Sequence, residues 1–373
     1  MQHTDIPIRS DVERLAAIRE AGCVSIYVQA TPMPADSDIA RIELKNQLRT
    51  ATDQLEAAGA DEHLVASITS AVNELLEDSD FWRLQSTSLA LFVNGTMRET
   101  YRLPNKLTGA TEVSDRFYIK PLLRALTFPQ SAFILALAQN SVRLVEISAD
   151  LPAAEVAVPE LPRDLVSEIA LDLTNDRGAL GHLLTSEDPK VRMLEYSQAI
   201  DRALRPVLAT SDRPFIIAAA EPLASIYRSV SSYPHLSDAV IAGNPEERSD
   251  EELAAAARPI LDQLYAVELA ALKDRFEESA SSGKAVTDLS DVARAATSKA
   301  IDTLFVDIDQ RIPGYLDEES GAITLSAEDD ASNYGVVDEI LRRALLSGAR
   351  VLAVRSPDVP GGGPVAASVR FPV

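Results

Sequence analysis

Six basic residues crowd into one stretch of the chain: Arg98, Arg102, Lys106, Arg116, Lys120 and Arg124. The acids among them are Glu99, Glu112 and Asp115, and the rings of Tyr101, Phe117 and Tyr118 are interleaved. Cations hold phosphates and aromatic rings stack on bases, so this island is the predicted RNA-binding face. The alternative is a solvated hairpin face whose rings turn to the core. The rest of the chain runs the other way, with 35 Lys and Arg against 57 Asp and Glu, a net charge of −22. Such a field does not attract polyanions, so a nucleic-acid contact requires a local patch of this kind.

Other familiar chemistries find no support. His3, His63, His182 and His235 are scattered, without HExxH or another ligand spacing, so neither a metal site nor a cofactor is expected. Gly361, Gly362 and Gly363 lack the Lys-Ser/Thr of a phosphate-binding loop and fall between two apolar runs, which reads as a turn. GxSxG and GxGxxG are both missing. The lone Cys23 rules out internal disulfides and thiolate clusters, and its place at the start of an apolar run makes it a small buried hydrophobe. A two-metal nuclease needs carboxylates at strand ends to hold ions about 4 Å apart. The apolar run 133–138 has none, and Glu221, just beyond another run, is better suited to cap a helix start.

The elements that would position these residues are legible from periodicity. The unbroken apolar run 215–220 between Pro214 and Pro222 predicts a strand buried on both faces. Leu223, Ile226, Tyr227 and Val230 then recur at helical spacing, and 239–242 is a second strand, giving a crossover unit. Upstream, runs at 133–138, 142–147 and 155–158 are linked tightly enough for an antiparallel meander, and a helix covers about 191–208. Three antiparallel strands, helix, strand, helix, strand is the order of an RNase H-like domain. The long polar stretch 159–189 between meander and helix is predicted to be a functional or mobile loop.

Before this block, Ser10 with Glu13 predicts a capping box for a first helix, 23–29 alternates as a strand, and helices cover about 38–58 and 62–76. Asn94-Gly95 predicts a hairpin between strands 89–93 and 97–103, and 116–126 begins extended and ends helical. After it, Ser249 with Glu252 caps a long Ala-rich helix reaching toward 278, and 279–284 reads as a linker. Helix 289–300, strand 303–308, an acidic loop 317–333, helix 336–346 and strands 350–355 and 365–371 follow. The fold class is therefore α/β, with divisions at 1–128, 129–284 and 285–373. Length suits two or three domains, and 46% hydrophobic residues suffice for their cores. Residues 1–15 lack the apolar centre of a signal peptide and no run is long enough to span a membrane, so a cytoplasmic protein without membrane contact is expected.

Several phrases, in order, point to one family: DFWRLQSTSLALFVNG from Asp80, YRLPNKL from Tyr101, RFYIKPLLRAL from Arg116, FILALAQNSVRLVEI from Phe133, IYRSVSSYPHL from Ile226 and IAGNPEERSDEEL from Ile241. With the terminal PVAASVRF, they resemble the bacterial branch of the archaeo-eukaryotic class-I peptide release factors, related to Pelota. The resemblance implies an N-terminal α/β domain, an RNase H-like middle domain and an L7Ae-like α/β/α C-terminal domain. It also implies a partner: the ribosome, through ribosomal RNA or tRNA. Release factors of this family carry a Gly-Gly-Gln tripeptide in a middle-domain loop, and this chain has none. The matching stretch holds Gly178, Gly181 and His182, of which His182 could polarise a water.

The expected function is thus a ribosome-associated factor acting in rescue, stalling or dormancy without peptidyl-tRNA hydrolysis. The alternative is a hydrolase of peptidyl-tRNA or another RNA ester that uses the loop with His182. A protein-interaction scaffold, suggested by the acidic charge, would instead take a protein partner.

Overall fold

The computed structural model describes residues 5–33, 37–127, 131–165, 189–209, 211–326 and 334–371. The first helix, α1 (Arg9–Ala17), has Ile8 rather than Ser10 at its cap and so starts two residues earlier than the expected box allows. Asp11 therefore lands three residues past the cap and accepts the Ile8 N–H at 3.0 Å, while Glu13 pairs with Arg9 at 2.7 Å. Strand β1 (Cys23–Gln29) is followed by helices α2 (Ser37–Ala57), α3 (Glu62–Glu77) and α4 (Ser79–Arg83). Next come β2 (Ser88–Val93), β3 (Arg98–Leu103), β4 (Ala110–Ser114) and α5 (Lys120–Thr127). The strands form an antiparallel sheet in the order β3-β2-β1-β4. At the Asn94-Gly95 turn the Asn94 Oδ1 accepts the N–H groups of Thr96 and Met97 at 2.9 and 2.8 Å.

Both faces of this sheet are covered, which explains its continuous apolar runs. Val24, Ile26 and Val28 point to Leu44, Leu48, Ile68 and Val72 of α2 and α3. Cys23 and Tyr27, with Ala90 and Phe92, point the opposite way. Strand β4 was not predicted, because five residues with one buried side chain carry almost no periodic signal.

Residues 130–266 form a separate compact unit. It contains β5 (Ala132–Leu137), β6 (Val142–Ile147), β7 (Ala154–Val156), α6 (Pro189–Leu208), β8 (Phe215–Ala219), α7 (Leu223–Val230) and β9 (Leu236–Ala242). Its sheet has the order β7-β6-β5-β8-β9. Strands β5, β6 and β7 pair antiparallel, while β5, β8 and β9 pair parallel, which is the element order read from the sequence. Phe133, Leu135 and Leu137 pack with Tyr196, Ile200 and Tyr227 of α6 and α7. Ala132, Ile134 and Ala136 pack with Leu253, Ala257 and Leu261.

Those last residues lie on α8 (Asp250–Ser281), whose capping box is the one expected. The Ser249 N–H reaches the Glu252 carboxylate at 2.8 Å, and the Glu252 N–H reaches Ser249 Oγ at 3.2 Å. The linker expected at 279–284 is not a linker. The helix runs on to Ser281, the Lys284 N–H closes on the Ser279 carbonyl at 2.7 Å, and Gly283, at φ +70°, turns the chain.

The chain continues through β10 (Ala285–Val286), α9 (Leu289–Thr297), β11 (Ile301–Asp307), β12 (Gly314–Leu316), β13 (Ile323–Leu325), α10 (Val336–Leu346), β14 (Arg350–Val354) and β15 (Val365–Val369). The sheet order is β10-β15-β11-β14, with β11 and β14 parallel. Part of the expected acidic loop is the β12–β13 hairpin. Gly361 and Gly362, at φ +79° and +68°, make the predicted turn between β14 and β15. Residues 1–129 and 267–373 make one compact unit with a shared core, in which Leu15, Phe92 and Leu122 meet Val292, Leu304, Val337 and Leu341.

Candidate functional site

The basic island does not form one face. Arg116 is 6% exposed and Lys120 1%, and both are held by residues more than 180 positions away. Arg116 pairs with Asp115 at 2.7 Å and with the buried carboxylate of Glu339, and its guanidinium lies 3.5 Å over the Tyr334 ring. Lys120 Nζ donates to the Gln310 carbonyl at 2.6 Å and lies 3.9 Å from Asp338. Arg102 pairs with Asp5 at 2.6 Å and covers the Phe81 ring at 4.5 Å. Arg98 donates to the Ala71 carbonyl and lies 3.6 Å from Glu74. Lys106 is exposed but not without a partner, and Arg124 falls in α5. The rings follow the alternative reading: Tyr101 and Phe117 are buried edge-on against Phe92, and Tyr118 is edge-on to Tyr27.

The centre of this region is Glu339 on α10. Its carboxylate takes Arg342 at 2.8 Å, Arg343 at 2.7 Å and Arg116, with no solvent exposure of its own side chain. Burial alone would raise the carboxyl; the hydrogen bonds and charges of the three arginines outweigh it and hold the group below its ordinary range. Its neighbour Asp338 is the opposite case. Burial pushes that carboxyl up to about 6, since Lys120 and Arg311 only partly compensate and Glu112 adds repulsion. One Asp338 oxygen is buried without a hydrogen-bond partner. Two adjacent carboxyls are thus shifted in opposite directions, because one has three guanidinium partners at contact distance and the other only the partial compensation of Lys120 at 3.9 Å and of Arg311. The i+3 and i+4 spacing of Arg342 and Arg343 from Glu339 is local and readable, but Arg116 and Lys120 come from the other end of the chain and their pairing is not.

Beside this cluster, β4 and the end of α2 border a cleft of about 960 Å³, lined by Leu55, Ala58, Leu64, Thr111 and Arg311. Arg311 is tied to Glu112 across two contacts, one of 2.9 Å. The cleft offers no activated nucleophile: the nearby Cys23 is buried and its thiol is pushed up to about 11 by burial. Among the described residues there is no group of three or more His, Cys, Asp or Glu that could hold a metal ion. Glu221 accepts the Ser225 N–H at 3.4 Å, the helix-capping role expected of it. Gly178, Gly181 and His182 lie outside the described residues. No helix among the described residues is long and apolar enough to cross a membrane.

Residues 129–267 match the model of bacterial archaeo-eukaryotic release factor family 11. No curated protein matches the chain. Among solved structures, an archaeal translation termination factor, aRF1, is 14% identical over 98% of this chain and 99% of its own, with a TM-score of 0.25. Archaeal Pelota, ribosome-bound with ABCE1, is 16% identical over 77% of this chain and 78% of its own, with a TM-score of 0.43. Dom34 of S. cerevisiae, a translation termination-like factor interacting with Hbs1, is 11% identical over 77% and 74%, with a TM-score of 0.41. At TM-scores this low the likenesses have no bearing on mechanism; the similarity to the release-factor family is that of residues 129–267.

A second group of cations lies outside the basic island. Arg41, Lys45 and Arg49 stand at i, i+4 and i+8 on α2, and among the described residues none of their side chains has an ion pair or hydrogen bond. Their helical spacing was readable; that they remain unpaired while the denser island is neutralised was not.

Proposed function

We propose that the protein is a ribosome-associated translation factor acting in rescue, stalling or dormancy without hydrolysing peptidyl-tRNA. The observation that carries this reading is the release-factor family match over residues 129–267. The missing Gly-Gly-Gln supports the non-hydrolytic part, since that tripeptide is the family's water-positioning element and the chain has none. The three-part division at 1–128, 129–284 and 285–373, with an RNase H-like middle and an L7Ae-like end, belongs to the same reading. Of the six island residues, Arg98 and Lys106 keep enough exposure to meet RNA, whereas Arg102 is mostly covered and Arg116 and Lys120 are buried.

Sucrose-gradient sedimentation of extracts from growing and starved cells tests the association. The expected result is co-migration with ribosomal particles in at least one condition; protein confined to the top of the gradient in both contradicts it. Release of peptide from programmed ribosomes tests the chemistry. No release above buffer is expected, and release that disappears in His182→Ala would overturn the non-hydrolytic reading.

A further inference from the structure

We infer that Arg41, Lys45 and Arg49 on the outer face of α2 form a binding surface for the sugar-phosphate backbone of RNA. This rests on the ribosomal reading for its choice of polyanion, but the surface itself rests on α2. The helix turns Ala40, Leu44, Leu48, Ala51 and Leu55 into the core, all essentially buried. Residues 41, 45 and 49 therefore project from a flank that the core does not use, each one helical turn further along. At 1.5 Å per residue the three charges are spaced about 6 Å apart and span about 12 Å. Lys45 and Arg49 are exposed and Arg41 is half-buried. The acid within this span, Glu43, is on another side of the helix and accepts from Gln47 at 3.0 Å.

Pairing decides between this stripe and the island. A guanidinium already neutralised by a carboxylate must exchange that partner for a phosphate, so the net gain is small. An unpaired cation releases the counterions of the phosphate it meets with nothing lost in exchange. In a chain of net charge −22, a row of three uncompensated cations is where a polyanion can approach. An anionic lipid surface is the other candidate polyanion. It requires a helix free to bury a broad apolar face among acyl chains, and that face of α2 is consumed by the core; Ile39 and Ile42, 69% and 60% exposed, are too few to replace it.

The test compares the full-length protein with the triple variant Arg41→Gln, Lys45→Gln, Arg49→Gln. Glutamine keeps helix propensity close to that of the residues it replaces. Three probes are used: a mixed-sequence single-stranded RNA 20-mer (length chosen at about 20 to exceed the stripe several-fold), purified bacterial ribosomes, and phosphatidylserine vesicles. The wild type is expected to bind the RNA with a steep salt dependence. The variant is expected to bind at least about tenfold more weakly, with its log–log salt slope reduced by about 2, the loss of three single-strand phosphate contacts. Arg41→Lys with Arg49→Lys keeps the charges and should keep the slope, which a role built on guanidinium geometry would not. Unchanged affinity and slope in the triple variant, no RNA binding by the wild type, or wild-type binding to vesicles but not RNA would each overturn the inference. If wild type and variant pellet equally with ribosomes, the stripe is wrong and the ribosomal reading stands. If the stripe binds the 20-mer but the wild type ignores ribosomes, the stripe stands and the ribosomal reading fails.

Discussion

Residues 98–124 and residues 41–49 carry cations in opposite circumstances. The first stretch has six among three acids, the second three with a single acid, so the first is the richer in sequence. In the folded chain the order reverses. The cations of 98–124 sit on β3, on the β3–β4 connection, on α5 and on the connection before α5, and these elements contribute to the core shared by the first and last segments of the chain. Asp5, Glu74, Gln310, Asp338 and Glu339 arrive there and take up Arg98, Arg102, Arg116 and Lys120. Among the described residues, none brings a counter-charge to Arg41, Lys45 or Arg49 on the outer flank of α2. Charge density is local in sequence, whereas neutralisation is set by tertiary contacts. A basic island is evidence for a polyanion only once its counter-charges have been found.

That comparison can be broken first at Glu339. Replacing it by alanine strands Arg116, Arg342 and Arg343 around an empty place, and the expected loss is about 3–5 kcal/mol in urea denaturation. A loss under about 1 kcal/mol would mean that the arginines find water and that the island is less structural than its burial indicates.

Asp338 comes next, through pH. Its folded carboxyl titrates near 6 against 3.8 for the free side chain, so the folded state holds the proton longer. Its ionisation therefore costs nothing below pH 3.8, and the cost grows from there to about 6 and is complete above it. Glu339 and Asp115, held low, act in the opposite sense and lose their contribution as pH falls. Asp338→Asn isolates the first effect: relative to wild type, the variant should gain about 2–3 kcal/mol between pH 4 and 7. A difference that stays constant across this window would show that Lys120, Arg311 and Glu112 leave the carboxyl at its ordinary value.

Smaller still is Arg102→Gln, which removes the pair with Asp5 and the contact with Phe81 for about 1 kcal/mol. The smallest effect on stability belongs to the α2 variants, each within about 0.5 kcal/mol of wild type by the same measurement, since those side chains make no ion pair or hydrogen bond among the described residues.

Much of the fold was legible because its signals are local. The helix at 336–346, the β5–β6 meander, the Ser249–Glu252 capping box and the Asn94-Gly95 turn each depend on residues a few positions apart. Strands β4, β10, β12 and β13 escaped because two to five residues cannot show a period. The run into β10 was read as a linker since Ser and Gly suggest breaks, although Ser279–Ser281 continue a helix already nucleated upstream. For the site, the types of residue were visible but their partners were not. Arg116 and Glu339 are 223 positions apart, and no spacing rule connects them.

The central claim is that free charge, not dense charge, marks the RNA-facing surface. Two triple variants measured side by side on purified ribosomes test it most directly: Arg41, Lys45 and Arg49 to glutamine, and Arg98, Arg102 and Lys106 to glutamine. The account predicts that the first flattens the salt dependence of binding by about 2 in log–log slope, while the second changes it by less than about 0.7, one contact. The reverse pattern, with the island variant flattened and the α2 variant unchanged, would contradict it.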